Sequence, residues 1–214
     1  ARVFWNFALA MSDVGRFRVT WKVPGCECDV VEHFEQLQAY NGGGVILTAQ
    51  MGSYDLGAHV FAATSRRPIV MVRAPEVDPQ TRAFEESLHA QSRSDALRVD
   101  FNTKASELAL ELLHAIQNGD LVAIQGDRVT PGIATIQATL FGKPARLPAG
   151  PFALAMAARV PVFPVFSVRA GRRRYRLITC APIHVERRSR LRDDDLRAAA
   201  EEWAKLLEDV IERG

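Results

Sequence analysis

Short apolar runs alternate along this chain with longer stretches in which apolar residues recur at helical spacing. The runs at 45–47, 68–72, 97–99 and 121–125 are too short for helices and read as buried strands. Residues 135–141 alternate as a strand with one face outward, and 160–168 and 175–183 read as two more strands joined by the basic turn Ala170-Gly171-Arg172. Between these runs, 29–40, 54–64, 79–92, 104–118, 151–159 and 191–212 read as helices. Asn41-Gly42-Gly43-Gly44 stops the first of these, and Asn118-Gly119 closes the fourth. Asp193, Asp194 and Asp195 fall in the first turn of the last, where they complement the helix dipole.

The N-terminal stretch 2–17 carries a broad apolar stripe through Val3, Phe4, Phe7, Ala8, Ala10 and Met11. Such a stripe reads either as core packing or as a helix in a membrane interface, where Trp5 and Phe7 are at home. Strands alternating with helices of this length predict an α/β fold, a mixed and largely parallel sheet flanked by helices. No repeat or linker divides residues 1–214, which read as a single domain. The opening Ala1 leaves room for a preceding anchor or a further domain.

In sheets of this kind, ligands gather at the carboxyl ends of the strands. Two polar turns fall there. One is Gln50-Met51-Gly52-Ser53-Tyr54-Asp55 after the first buried strand, and the other is Gly126-Asp127-Arg128 after the fourth. Pattern alone makes them candidates for one site. Asp55 sits where it would either cap a helix or hold a catalytic group. Gln50 has a neutral amide that donates and accepts hydrogen bonds but takes up no proton. His59 follows Asp55 by one helical turn and reads as a packed residue or a base. Ser53, Asp55 and His59 look superficially like a hydrolase set, but G-x-S-x-G is absent.

Composition narrows the class. The formal charge of +2 over 214 residues gives no reason to expect nucleic acid. The arginines are clustered at 172–174, 187–188, 190 and 192, as a solvated basic face or as a surface for anionic headgroups or an acidic carrier. Three cysteines, two of them in Cys26-Glu27-Cys28, make a poor disulfide framework and point to a reducing compartment. That spacing lacks the second pair a zinc site needs, so no metal is expected. No segment reaches the roughly 18 apolar residues of a membrane span, and no signal-peptide pattern shows.

Thr48-Ala49-Gln50-Met51-Gly52-Ser53-Tyr54-Asp55 resembles the active-site block of the bacterial lysophospholipid and lipid A-type acyltransferases, with Gln50 where the family has its catalytic His. Later blocks extend the likeness in the right order: Gly126-Asp127-Arg128, Leu140-Phe141-Gly142-Lys143-Pro144-Ala145, Leu147-Pro148-Ala149-Gly150-Pro151 and Val160-Pro161-Val162-Phe163-Pro164-Val165. They match the family's acidic/basic turn, its FFG-x-PA strand end, its P-x-GP helix entry and its P-V-V-P-V strand. The likeness is to the lauroyl/myristoyl branch, since an FPEGT-like block is missing.

The resemblance implies a fatty acyl donor, acyl-CoA or acyl-carrier protein, acting as co-substrate without any cofactor or metal. It implies a lipid or glycolipid acceptor whose hydroxyl or amine is deprotonated by the His, with Asp55 supporting it. It places the protein peripherally at the cytoplasmic face of the inner membrane, or in the cytoplasm, with that membrane surface as partner. Asp127 and Arg128 would hold phosphates, Gly150 would shape the helix entry, and Arg73 or Arg82 would serve as a phosphate-binding arginine. Gln50 then reads three ways: as a base removed by design, as the mark of an acyl- or lipid-binding pseudoenzyme, or as a sign that His59 or Asp55 itself takes the proton. An ester hydrolase is the remaining alternative.

Overall fold

The computed structural model describes residues 2–20, 22, 25–29, 31–74, 78–80, 83, 97–101, 105–188 and 192–213. Seven strands form one sheet in the order β1-β9-β8-β2-β5-β3-β4, and β6 and β7 form a separate hairpin. In chain order these are β1 (Gly25–Asp29), β2 (Gly44–Thr48), β3 (Ile69–Arg73), β4 (Leu97–Phe101), β5 (Leu121–Gln125), β6 (Thr135–Leu140), β7 (Lys143–Pro148), β8 (Val162–Gly171) and β9 (Arg174–Thr179). Six helices are described: α1 (Arg2–Thr20), α2 (Val31–Ala39), α3 (Tyr54–Ser65), α4 (Ala105–Gln117), α5 (Gly150–Ala158) and α6 (Arg192–Arg213). All neighbours in the large sheet are parallel except β8 and β9, so the expected mixed, largely parallel α/β fold is the one observed.

Val45, Ile46 and Leu47 in β2 are almost fully buried, as in a parallel strand covered on both faces. Val45 and Leu47 point into a core shared with α4, α5, α6 and the hairpin. Ile46 points the other way, into a core with α2 and α3. On α4, Leu108, Leu112, Ala115 and Ile116 are buried while Glu107, Glu111 and Gln117 are exposed, which is the 3.6-residue period made physical. The inner part of α1 closes a third cluster, Val14 and Phe17 on Leu56 and Tyr175.

Three assignments differ from expectation, and a fourth is described only in part. The helix expected over 29–40 begins later, because Asp29 ends edge strand β1. The segment 143–148 is a strand, and the register Leu140↔Lys143 closes a two-residue turn at Phe141 and Gly142 with φ of 50° and 71°. The strand expected over 175–183 stops at Thr179, and Ile183 makes only an isolated bridge to Val162. Of the helix expected over 79–92, residues 79, 80 and 83 are helical; the rest, Arg82 included, lies outside the described residues.

Candidate active site

The parallel strands β2, β5, β3 and β8 end along one edge of the sheet, and the two polar turns meet there. The Gly126 amide donates to the Thr48 carbonyl at 2.8 Å, continuing the pairing of β2 with β5 past the strand ends. The Gln50 amide then donates to Asp127 Oδ2 at 2.9 Å. From the far end of the chain, Trp203 Nε1 donates to the Gly126 carbonyl at 3.1 Å. Its indole is fully buried and stacked on Phe166, with ring centroids 5.0 Å apart. A side chain at Gly126 would run into Leu47 and the Trp203 ring, so only glycine lets the turn approach this closely.

Gly52 has a φ of 57°, and a Cβ there would stand 2.5 Å from the Ser167 carbonyl oxygen on β8. The motif turn is thus pressed against β8. Ser53 caps α3, its Oγ accepting from the Leu56 amide at 3.4 Å. The cap that Asp55 was a candidate to supply therefore comes from Ser53, and the buried Ser53 hydroxyl is engaged in it. Asp55 is the second residue of α3, and its side chain lies outside what is described. Gln50 itself is exposed.

Burial pushes the Asp127 carboxyl above the ordinary carboxylate range, opposed by its backbone hydrogen bonds and by Arg128. Its second oxygen, Oδ1, is buried without a hydrogen-bond partner among the described residues. The carboxylate thus serves the Gln50 backbone, while Arg128 next to it is exposed and lines a groove on the α4–α5 face.

That groove has a volume of about 300 Å³ and is walled by Leu108, Leu112, Ile124, Ile133 and Leu154, with Arg73, Arg128, Gly150 and Pro151 on its border. Arg73 is only 7% exposed, and its guanidinium lies 5.6 Å from the centre of the Tyr54 ring, the residue before Asp55. α5 begins in the groove wall, and its N-cap, Ala149, makes no side-chain cap bond. Pro151 has no N–H, so the Gly150 and Phe152 amides are the first-turn donors that this cap does not satisfy. Three of the expected binding residues, Arg73, Arg128 and Gly150, share this one groove.

A second, smaller cavity of about 40 Å³ lies against α3, lined by Tyr54, Ala58 and Phe61, with the buried Gln125 Nε2 and Ser167 Oγ beside it. It shares Val72, Ile124 and Gln125 with the groove. β3 and β5 stop pairing at Met71↔Ala123, so the sheet opens at its carboxyl edge where the two spaces meet.

His59 is turned toward α1, its ring 4.5 Å from that of Phe17. Among the described residues no three of His, Cys, Asp and Glu gather as a metal-binding group. Trp203 and Ser167 brace the site without having been singled out in the sequence; only the fold shows which carbonyl the Trp203 indole reaches and that Ser167 lies against Gly52 of the motif turn.

The family model for bacterial lipid A biosynthesis acyltransferases matches residues 23–214. No curated protein matches the chain.

Proposed function

The chain belongs to the bacterial lipid A biosynthesis acyltransferase family, and on that premise we propose that its groove receives the fatty acyl chain of an acyl-CoA or acyl-carrier-protein donor for transfer to a hydroxyl or amine of a lipid or glycolipid acceptor at the cytoplasmic face of the inner membrane. One observation carries this reading: an apolar groove bordered by two arginines opens beside the turn that holds Gln50. The apolar walls suit a hydrocarbon chain, and Arg73 and Arg128 suit phosphate oxygens, which guanidinium binds in two-pronged fashion. The donor phosphopantetheine is one source of such oxygens and the acceptor headgroup another.

Transfer requires that a base remove the acceptor proton, that the freed nucleophile attack the donor thioester, and that donors meet the oxyanion. Gln50 supplies a shape and hydrogen bonds, not proton affinity. Asp127 fixes the Gln50 backbone and leaves phosphate binding to Arg128. Packing of His59 on Phe17 weighs against it as a substitute base and leaves Asp55 as the nearer alternative. Engagement of Ser53 as a helix cap weighs against a serine hydrolase.

The neutral amide at position 50 favours a second reading, a protein of this fold that binds acyl donors without turning them over. Acyl transfer from acyl-CoA and acyl-carrier protein to hydroxyl and amine acceptors, assayed for this chain and for Gln50→His, separates the two. The expected outcome is turnover at least about a hundredfold higher in Gln50→His, the usual scale of general-base catalysis. Donor binding with no turnover in either form favours the binding protein. Neither binding nor turnover contradicts both.

A further inference from the structure

The smaller cavity, between α3 and the sheet, has a mostly apolar wall that includes Ile46, Ala58, Phe61 and Val165. Two polar side chains interrupt it. Gln125 Nε2 and Ser167 Oγ are buried without a hydrogen-bond partner among the described residues. Ser167 is only 4% exposed. Gly57 of α3 closes over it so tightly that a Cβ there would stand 2.6 Å from the Ser167 Cβ and 2.9 Å from its Oγ. Buried side-chain polar atoms nearly always have a partner, so two around one cavity mark a place for a hydrogen-bonding group.

Size decides what kind of group this is. The cavity holds about 40 Å³, and one water-sized group needs about 10–15 Å³. It therefore takes roughly three such groups, too few for the hydrocarbon chain that the groove of about 300 Å³ accommodates. Its position decides what carries the group. Thr48 and Gln125 are the last residues of β2 and β5 and pair with each other, and the Ser167 carbonyl lies against Gly52 of the motif turn. The polar side of the cavity is thus beside that turn. Val72, Ile124 and Gln125 border the groove as well as the cavity. A chain lying in the groove passes Gln125 close to the end where its thioester must sit for transfer.

We propose that Gln125 and Ser167 are specificity-determining residues that read a hydroxyl on the acyl donor near its thioester, the cavity receiving the hydroxyl and the groove the rest of the chain. This rests on the acyl-transfer reading above and narrows its donor to hydroxyacyl chains. A hydroxyl both donates and accepts, so it suits an amide end and a serine oxygen alike. An unsubstituted chain covers the same atoms with hydrocarbon and leaves them unpaired. Sites with buried polar groups reject an analogue that lacks their partner far more strongly than apolar pockets reject a missing methylene. The apolar remainder of the wall disfavours a charged substituent in the same place.

The test is equilibrium binding of two donors of equal length, dodecanoyl-phosphopantetheine and 3-hydroxydodecanoyl-phosphopantetheine, to this chain, to Gln125→Met and to Ser167→Ala. The readout is the ratio of the two dissociation constants within each protein, which a general loss of stability leaves unmoved. This chain is expected to bind the hydroxyacyl donor about tenfold or more tighter. Gln125→Met removes the amide at similar length, and the ratio is expected to fall to about one. Ser167→Ala removes only the hydroxyl oxygen and lowers the ratio at least about threefold. Loss of the preference in either variant supports the proposal, so one that fails to fold leaves the other to decide. Equal binding of the two donors by this chain means that water alone satisfies Gln125 and Ser167, and overturns the proposal while the acyl-transfer reading stands. A preference that both variants keep overturns it as well. Binding of neither donor overturns the proposal and the acyl-transfer reading together.

Discussion

Gln50 presents a neutral amide to solvent while its backbone N–H is held by Asp127 across 77 residues of chain. That carboxylate is a standing cost at neutral pH, because burial raises its folded pKa above the unfolded value. Between the two values the folded protein holds a proton that the unfolded chain has released. Stability from this group therefore falls as pH rises through that window and is recovered below it. Asp127→Asn keeps an acceptor for the Gln50 amide and removes the charge. Thermal melts are expected to show the variant no less stable than the parent at pH 7, with the gap closing as the pH is lowered through the carboxylate range. A variant that melts clearly lower at pH 7 would mean that the charge is net stabilising. Gly52→Ala makes a different demand. A residue other than glycine at φ 57° costs about 1–2 kcal/mol before any clash, and the Ser167 carbonyl adds one. Denaturant unfolding should report a loss of about 2 kcal/mol or more, and an unchanged midpoint would show that the turn relaxes freely. The motif was legible in the sequence because its residues are consecutive around a single turn. That the Asp127 turn meets it was legible as well, from both turns falling at strand ends; that Trp203 and Ser167 brace it was not, since they reach it only through the fold.

Among the elements, the central strands were legible because strands buried on both faces are continuous apolar runs, as in Leu121-Val122-Ala123-Ile124. β1 hid because Gly-Cys-Glu-Cys-Asp has no such run; among the described residues it lies at the edge of the sheet, paired only with β9. β7 hid because Pro144 and Pro148 argue against a central strand. It tolerates them because, among the described residues, it pairs with β6 alone. α1 was legible as a helix, yet periodicity left open whether its apolar stripe packs or faces outward. The structure divides it along its length: Ala10, Val14 and Phe17 are buried, the last two on Leu56 and Tyr175, while Phe4, Trp5 and Phe7 nearer its start are exposed. Asp13 ties that helix down. Tyr175→Phe removes the donor to its carboxylate and is expected to cost about 1.5–3 kcal/mol, the scale for a hydrogen bond to a charged group. Hydrogen exchange should then speed up in residues 2–20 more than in the sheet. Uniform exchange rates across the two would show that α1 is held by its apolar contacts alone.

At the scale of the whole molecule, parallel strand order gathers Gln50, Arg73, Asp127 and Arg128 at one edge from segments far apart in the chain. The arginines' presence at strand ends was legible, but their convergence with Gly150 on a single groove depends on α4 and α5 packing over the same face. The groove is where we propose that the family's chemistry is housed in this chain, and its contents can be tested apart from turnover. The most direct measurement is equilibrium binding of a long-chain acyl-phosphopantetheine, the portion common to acyl-CoA and acyl-carrier protein, to the unsubstituted chain, to Leu154→Trp and to Arg128→Ala. Leu154 is half-buried in the groove wall, so the larger side chain fills the space without entering the core. Saturable binding by the unsubstituted chain, weakened about tenfold or more in each variant, is the predicted result. Binding that is absent, or equal in all three proteins, would contradict the assignment of this groove to the acyl donor.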